Sequence, residues 1–319
     1  MISIVIEKLF LYLFKAFMIY NRIYVQGVNM GHCVVAEAEE ILDKKFQVLD
    51  KGFVRLVDYM GGDGRVVQSA RVSYGEGTKT YREDAGLIDY LLRNSHTSPF
   101  EQVILTFHVK LPIFVARQWI RHRTARLNEI SGRYSVMNDD FYVPETEDIA
   151  LQSADNKQGR SSEILEKEQA EKIRAAFTEG QNSAYSAYRS LIDEGIAREL
   201  ARINLPLSTY TEWYWQIDLH NLFHFLKLRL DAHAQKEIRL YAKVLFDITK
   251  KVAPACCESF ERHILGGVCF SDEEFKELKK RLEGSGGTLD EPGRRSFQSN
   301  LSGKALERFE EKLKDGRQL

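Results

Sequence analysis

The sequence predicts a mixed α+β fold, a small, mainly antiparallel sheet flanked by long helices. Three observations carry this expectation. Between 102 and 111, Val103, Leu105, Phe107 and Val109 alternate with Ile104, Thr106, His108 and Lys110, the period of a strand with unlike faces. Residues 52–60 and 65–74 read as two short elements separated by the turn Gly61-Gly62-Asp63-Gly64. Helical periods recur over 166–194 and again, from a Thr209/Glu212 capping box, to about Val252.

The elements follow in chain order. Residues 1–20 are apolar, but Glu7, Lys8 and Lys15 leave them short of the ~18 apolar residues of a membrane span. Those charges fall inside the apolar run rather than ahead of it, unlike a signal peptide. Residues 1–45 are therefore expected to be a non-catalytic extension, with no membrane association. The catalytic pattern occupies 46–268. Within it, 85–94 are helical through Leu87, Tyr90 and Leu91, and His96 to Phe100 breaks that helix. Pro112 occupies the first turn of a helix running to about His122. Residues 145–165 are polar and aperiodic, and read as a surface loop or mobile insertion. A short helix over 196–204 ends at Pro206, and Asp231 is the candidate break in the last long helical region. Beyond, 269–319 form a charged tail outside the catalytic core: a helix from Ser271 to Glu283 with its own S-x-x-E cap, then a Gly-Ser linker.

A formal net charge of -1 gives no global pull toward nucleic acid, so any anion site must be a local cluster. The four cysteines, Cys33, Cys256, Cys257 and Cys269, form no C-x-x-C pair, which fits a reducing cytoplasm. The richest segment is 117–134. It holds Arg117, Arg121, Arg123, Arg126, Arg133 and His122, with Glu129 alone to offset them. Gln118 and Arg121, three apart on the expected helix, face one side. The turn from Asn128 through Ile130, Ser131 and Gly132 to Arg133 combines amide, carboxylate, hydroxyl and guanidinium groups, suited to a phosphate and a pyrimidine edge. A solvated basic helix face is the plain alternative. A second cluster holds His220, His224, Arg229 and His233. An i, i+4 His pair can chelate zinc, but no H-E-x-x-H is present and no metal is expected. A third candidate, Arg198 with Arg202, could be a phosphate clamp or a salt-bridged face.

Several of these segments, in order, resemble the flavin-dependent thymidylate synthases. They are Arg121-His122-Arg123 with Ser131-Gly132-Arg133-Tyr134 after seven residues, ARVSY at 70–74, the H-x-S-P-F-E stretch at 96–101, 107–123, 197–207 and 225–238. The resemblance spans about 46–265. It implies FAD held by Ser98, Glu101, Arg121, His122, Arg123, Asn128 and Glu129, with Asp218, His220, His224 and His233 from later helices. It implies dUMP held by Gln118, Arg121, Glu129, Ile130, Ser131, Gly132 and Arg133, completed by Arg202 and Arg229. It also implies a homotetramer whose active sites form at subunit junctions. Two departures are visible: Arg126 stands where the family usually has a small residue, and Asp218, His220 and His224 fall at positions that vary. No G-x-G-x-x-G follows a strand, so a Rossmann mode of FAD binding is not expected.

The implied reaction is methylation of a uracil nucleotide, with 5,10-methylenetetrahydrofolate as carbon donor and hydride from flavin re-reduced by NADPH. Arg229 is the candidate catalytic cation beside uracil N3–O, where negative charge develops. Ser131 could be a nucleophile or a phosphate ligand; no base is visibly committed to it, which favours binding. No cysteine lies in the motif region, which argues against flavin-free chemistry. Two rivals stay open on residues alone: a metal-dependent nucleotide hydrolase using His220, His224 and His233, and an RNA-binding module on the 117–133 arginines, for which the net charge is unfavourable.

Overall fold

A computed structural model describes residues 33–72, 81–154 and 159–284. The N-terminal apolar stretch, Ser73 and Tyr74 of the ARVSY motif, and the linker and tail beyond Gly284 lie outside the described residues. The sheet contains β1 (Lys45–Val48), β2 (Gly52–Met60), β3 (Ile104–Pro112), β4 (Arg126–Glu129) and, after the small hairpin of β5 (Ala150–Gln152) and β6 (Arg160–Ile164), β7 (Tyr210–Asp218). Its order is β1-β2-β3-β7-β4 and every neighbouring pair is antiparallel. The expected alternation in β3 holds: Val103, Leu105, Phe107 and Val109 are fully buried. On the opposite face His108 stacks on Tyr214 at 4.8 Å and bonds Glu212 and Arg55.

Ten helices accompany the sheet in the described residues: α1 (Ala36–Glu39), α2 (Asp63–Arg71), α3 (Tyr81–Arg93), α4 (Ile113–Trp119), α5 (Lys167–Asp193), α6 (Arg198–Ala201), α7 (Leu219–Arg229), α8 (Lys236–Val252), α9 (Pro254–Phe260) and α10 (Asp272–Gly284). The apolar stripe of α8, with Ile238, Tyr241, Leu245 and Ile248, packs on the buried face of the sheet with α4 and α7. Packing begins ahead of Phe46: Ala38 is fully buried, and the Tyr59 hydroxyl takes the Val35 amide and donates to Glu39. Gly52 is required where α8 crosses β2, because a Cβ there would lie 2.0 Å from the Tyr241 hydroxyl. That hydroxyl donates to the Lys110 carbonyl at 2.7 Å.

Four expectations need correction. Thr209 does not cap a helix; its hydroxyl donates back to Pro206, and the aromatic, β-branched run after it becomes β7, held between β3 and β4. The helix starts at Leu219 instead, where the Asp218 carboxylate accepts from the Asn221 amide at 2.9 Å. Pro112 ends β3 in extended conformation, and its helix stops at Trp119, three residues before His122. Gln118 and Arg121 therefore do not share a helix face. Residues 145–165 contain the β5–β6 hairpin, stitched by the Ser153 amide and the Gln152 side chain to the Gly159 carbonyl; its strands are too short to show a period. The presumed turn from Asn128 begins as edge strand β4, and the turn follows at Ser131, whose carbonyl accepts from Tyr134 and Ser135. One cap and one break stand as expected. Ser271 and Glu274 exchange reciprocal bonds at the start of α10, and α7 and α8 separate around Asp231.

Asp63 performs a second duty from the start of α2. Its two carboxylate oxygens accept from the Ala255 and Cys256 amides at 2.8 and 3.0 Å, capping α9 across the fold. Replacing Asp63 by Ala strands two amides, so a loss of about 1–3 kcal/mol in unfolding free energy, read as a lower urea midpoint, is expected, with Asp63→Asn milder. A midpoint unchanged in Asp63→Ala would rule this cap out as a stabilising contact.

Candidate active site

The end of α4 and the end of α7 meet in one cluster. Arg229, the last residue of α7, donates through Nε to His122 Nε2 at 3.1 Å and through Nη2 to the Gln118 carbonyl at 3.2 Å. Local folding explains the meeting: the His122 amide bonds the Trp119 carbonyl, which turns the chain back over Phe225. His224 adds a third ring, 5.6 Å from His122. Burial, Arg229 and His224 together push the His122 imidazole down to about 4. The ring is therefore neutral near pH 7, accepting at Nε2, with its proton on Nδ1. Burial also lowers the Arg229 guanidinium.

A second cluster lies at the far end of β4. Glu129 accepts from the Thr211 hydroxyl at 2.6 Å, and the Ile130 amide bonds the Glu212 carbonyl. The Ser131 hydroxyl accepts from the Arg133 amide at 3.3 Å, and Arg133 pairs with Glu199 at 3.0 Å. Gly132 is buried: a Cβ there would come within 3.1 Å of both Arg202 Cδ and Met137 Sδ, so its small size lets Arg202 lie over the turn. Arg198 is spent on the Tyr134 carbonyl.

The remaining expected residues are distributed around these two groups. Arg121, Arg123 and Asn128 are exposed, and among the described residues Arg121, Arg123, Arg126 and Arg202 make no ion pair. Ser98 and Glu101 sit on a 3-10 turn (Ser98–Gln102) that packs through Phe100 on Phe223 of α7. Asp218 is held as the cap of α7, with His220 in its first turn. His233 bonds Asp231 at 2.8 Å in the α7–α8 connection, apart from the other histidines; no metal-binding group of three His, Cys, Asp or Glu occurs among the described residues. Cys256 and Cys257 are fully buried and burial pushes both thiols well up, the environment of inert structural cysteines. Sequence reasoning missed Gln235, whose carboxamide accepts from Gln118, and Thr211 and Glu199, each of which holds an expected site residue. A cavity of about 740 Å³ opens behind Gln235 beside Tyr142, Arg160 and Glu237, and includes none of the expected site residues.

Two family models match this chain. The thymidylate synthase complementing protein model matches residues 55–255, and the thymidylate synthase ThyX C-terminal domain model matches 268–319. The flavin-dependent thymidylate synthase of Treponema denticola is 66% identical over 278 residues, covering 87% of this chain and 100% of that protein. The chain belongs to the flavin-dependent thymidylate synthase family. The relative from Treponema pallidum is 61% identical over 289 residues, 91% of each chain. Among solved structures, the UMP/dUMP methylase PolB from Streptomyces cacaoi, bound with 5-Br dUMP, is similar at a TM-score of 0.62 and 33% identity, covering 69% of this chain and 98% of that one.

As a flavin-dependent thymidylate synthase, the chain is a methyltransferase and a flavoprotein of nucleotide biosynthesis. No helix among the described residues is long and apolar enough to cross a membrane. The donor set fits a flavin cofactor: the exposed guanidinium groups of Arg121 and Arg123, which make no ion pair among the described residues, suit phosphate, and the exposed edge-strand amide of Asn128 suits a polar ring edge. For this synthase the neutral His122 has a measurable consequence. The unfolded chain takes a proton near 6.5 and the folded one only near 4, so stability is complete above pH 6.5 and falls as pH drops toward 4. The loss is on the order of 2 kcal/mol after solvent screening. The slope in this window should shrink in His122→Asn, with the remainder coming from groups such as His108, which burial also lowers; an equal slope in wild type and variant would assign all of it to other groups.

Proposed function

We propose that this chain catalyses reductive methylation of dUMP to dTMP, with 5,10-methylenetetrahydrofolate as carbon donor, FAD as hydride carrier and NADPH as reductant. The observation that most supports this reading is the Arg229–His122–Gln118 cluster, a half-buried cation held in one orientation by a neutral ring and a carbonyl. Two of its nitrogens are occupied, which leaves Nη1 to face a uracil carbonyl. Charge that develops on the ring during attack from C5 would then meet a fixed counter-charge that need not reorganise.

Around it, Ser131, Gly132 and Arg133, with Arg202, would bind the nucleotide phosphate. Ser131 acts as a ligand rather than a nucleophile: its hydroxyl accepts from the Arg133 amide, and no base bonds it among the described residues. Ser98, Glu101, Arg121, His122, Arg123, Asn128 and Glu129 would hold FAD, with Asp218, His220, His224 and His233. When bound, FAD supplies the hydride that completes the methyl group.

Arg121 and Arg123 ahead of β4 and Arg133 after it are exposed, so the arrangement is open to solvent. A homotetramer would close such an open arrangement, with neighbouring copies contributing to each site. Leu200, Ile203 and Leu207, 58%, 72% and 64% exposed around Arg202, are suited to burial against another copy. The four cysteines, two of them buried thiols, suit work in the cytoplasm. The test is a visible absorption spectrum of the purified protein, repeated after adding NADPH with dUMP. An oxidised flavin spectrum that bleaches is expected; a colourless protein that cannot be reconstituted with FAD would overturn the reading.

A further inference from the structure

Behind the proposed uracil site runs a chain of hydrogen bonds that the reaction itself does not use. It begins at Glu237, which is 1% exposed and carries a carboxylate ion-paired with Arg160. The Tyr142 hydroxyl also donates to it, at 3.2 Å. An ion-paired carboxylate only accepts, so Gln235 must turn its amide nitrogen toward it, as it does at 2.8 Å. The Gln235 oxygen then faces the other way and accepts from the Gln118 amide nitrogen. Each carboxamide fixes the next, and the Gln118 oxygen is left as the atom facing away from Gln235. Gln118 is also the residue whose carbonyl holds Arg229.

We propose that Gln235 and Glu237 are positioning residues that fix the polarity of the Gln118 carboxamide and thereby make the site select uracil over cytosine nucleotides. Uracil presents N3–H as a donor between two carbonyls. Cytosine presents N3 as an acceptor, which would oppose the Gln118 oxygen and leave it unpaired. A carboxamide free to rotate could serve either base; one held by a buried carboxylate serves uracil. Sites built to bond a particular donor reject analogues that lack it far more strongly than apolar pockets reject a misfit.

This inference rests on the reading that Gln118 binds dUMP and places that contact on the pyrimidine edge, and the experiment separates the two. dUMP and dCMP are titrated by calorimetry against the flavin-loaded wild type, Gln118→Ala, Gln235→Ala and Glu237→Gln. Wild type should prefer dUMP by roughly a hundredfold or more. Gln235→Ala cuts the relay at an exposed side chain, and Glu237→Gln replaces an acceptor by a group that can also donate. Each should compress the dUMP/dCMP ratio by about tenfold, a change in preference that a general loosening of the fold would not produce. If Glu237→Gln does not fold, Gln235→Ala decides alone. An unchanged ratio in Gln235→Ala, with dUMP binding weakened in Gln118→Ala, overturns the relay and leaves the dUMP reading intact. Full dUMP affinity in Gln118→Ala overturns the relay at its last step. No dUMP binding to wild type overturns the underlying reading together with it.

Discussion

Arg229→Ala is expected to lower dTMP formation by about 10²–10³, the range for removing one preorganised charge-stabilising donor, while flavin stays bound. Arg229 Nε and Nη2 are committed to His122 and the Gln118 carbonyl, so the guanidinium is aimed before any ligand arrives. Removing it also withdraws the charge that, after burial, does most to keep His122 deprotonated, which leaves the imidazole neutral less firmly than in wild type. Arg229→Lys should recover little. An ammonium cannot span the His122 ring and the Gln118 carbonyl and still present a third donor to a substrate. The assay is dTMP formed from dUMP at saturating cofactor, with flavin absorbance recorded on the same samples. Turnover within tenfold of wild type in Arg229→Ala would remove Arg229 from the chemistry. Loss of the flavin spectrum in the same variant would make it a cofactor-binding residue instead.

How much of this was legible without coordinates depended on whether the controlling contacts were local. The β3 strand could be read because one of its faces meets the core and the other meets water, which imprints a period of two. The 27-residue α5 was legible for the equivalent reason at helical period. β7 was misread because Thr209 and Glu212 happen to stand at capping-box spacing. Its strand character comes from hydrogen bonding to β3 on one side and β4 on the other, partners about 100 residues away. The end of α4 was misplaced by the same kind of cause. Its last turn is set by the burial of Trp119 under the sheet rather than by a stop signal in its own sequence.

The site divides in the same way. The arginine density of 117–133 and the Ser131-Gly132-Arg133 turn are local and visible. The pairing of Arg229 with His122, 107 residues apart, is not, and neither is the choice of Gln235 as partner for Gln118. His220, His224 and His233 looked like a set because they share a short stretch of sequence. The break between α7 and α8 takes His233 away to Asp231, and His224 turns toward His122.

The burial of Trp119 joins these two scales, and Trp119→Ala should show it. The indole is fully buried, with ring centroids 4.8 Å from Phe225, 5.1 Å from Trp215, 5.6 Å from Trp213 and 6.0 Å from Tyr241. Truncating a large aromatic in such a cluster costs about 3–5 kcal/mol, or roughly 10 °C in melting temperature for a chain of this size. The damage should not stop at stability. Trp119 follows Gln118 directly, and its carbonyl accepts from the His122 amide, so the cavity loosens both supports of Arg229. Trp119→Phe should be far milder, because the indole N–H finds no acceptor among the described residues and its loss strands nothing. Urea unfolding and dTMP formation measured on both variants distinguish the possibilities. A stable but inactive Trp119→Ala would mean that the ring serves the site and not the core. A Trp119→Ala within 1 kcal/mol of wild type and fully active would mean that Arg229 and His122 are held without it, by the sheet and α7 alone.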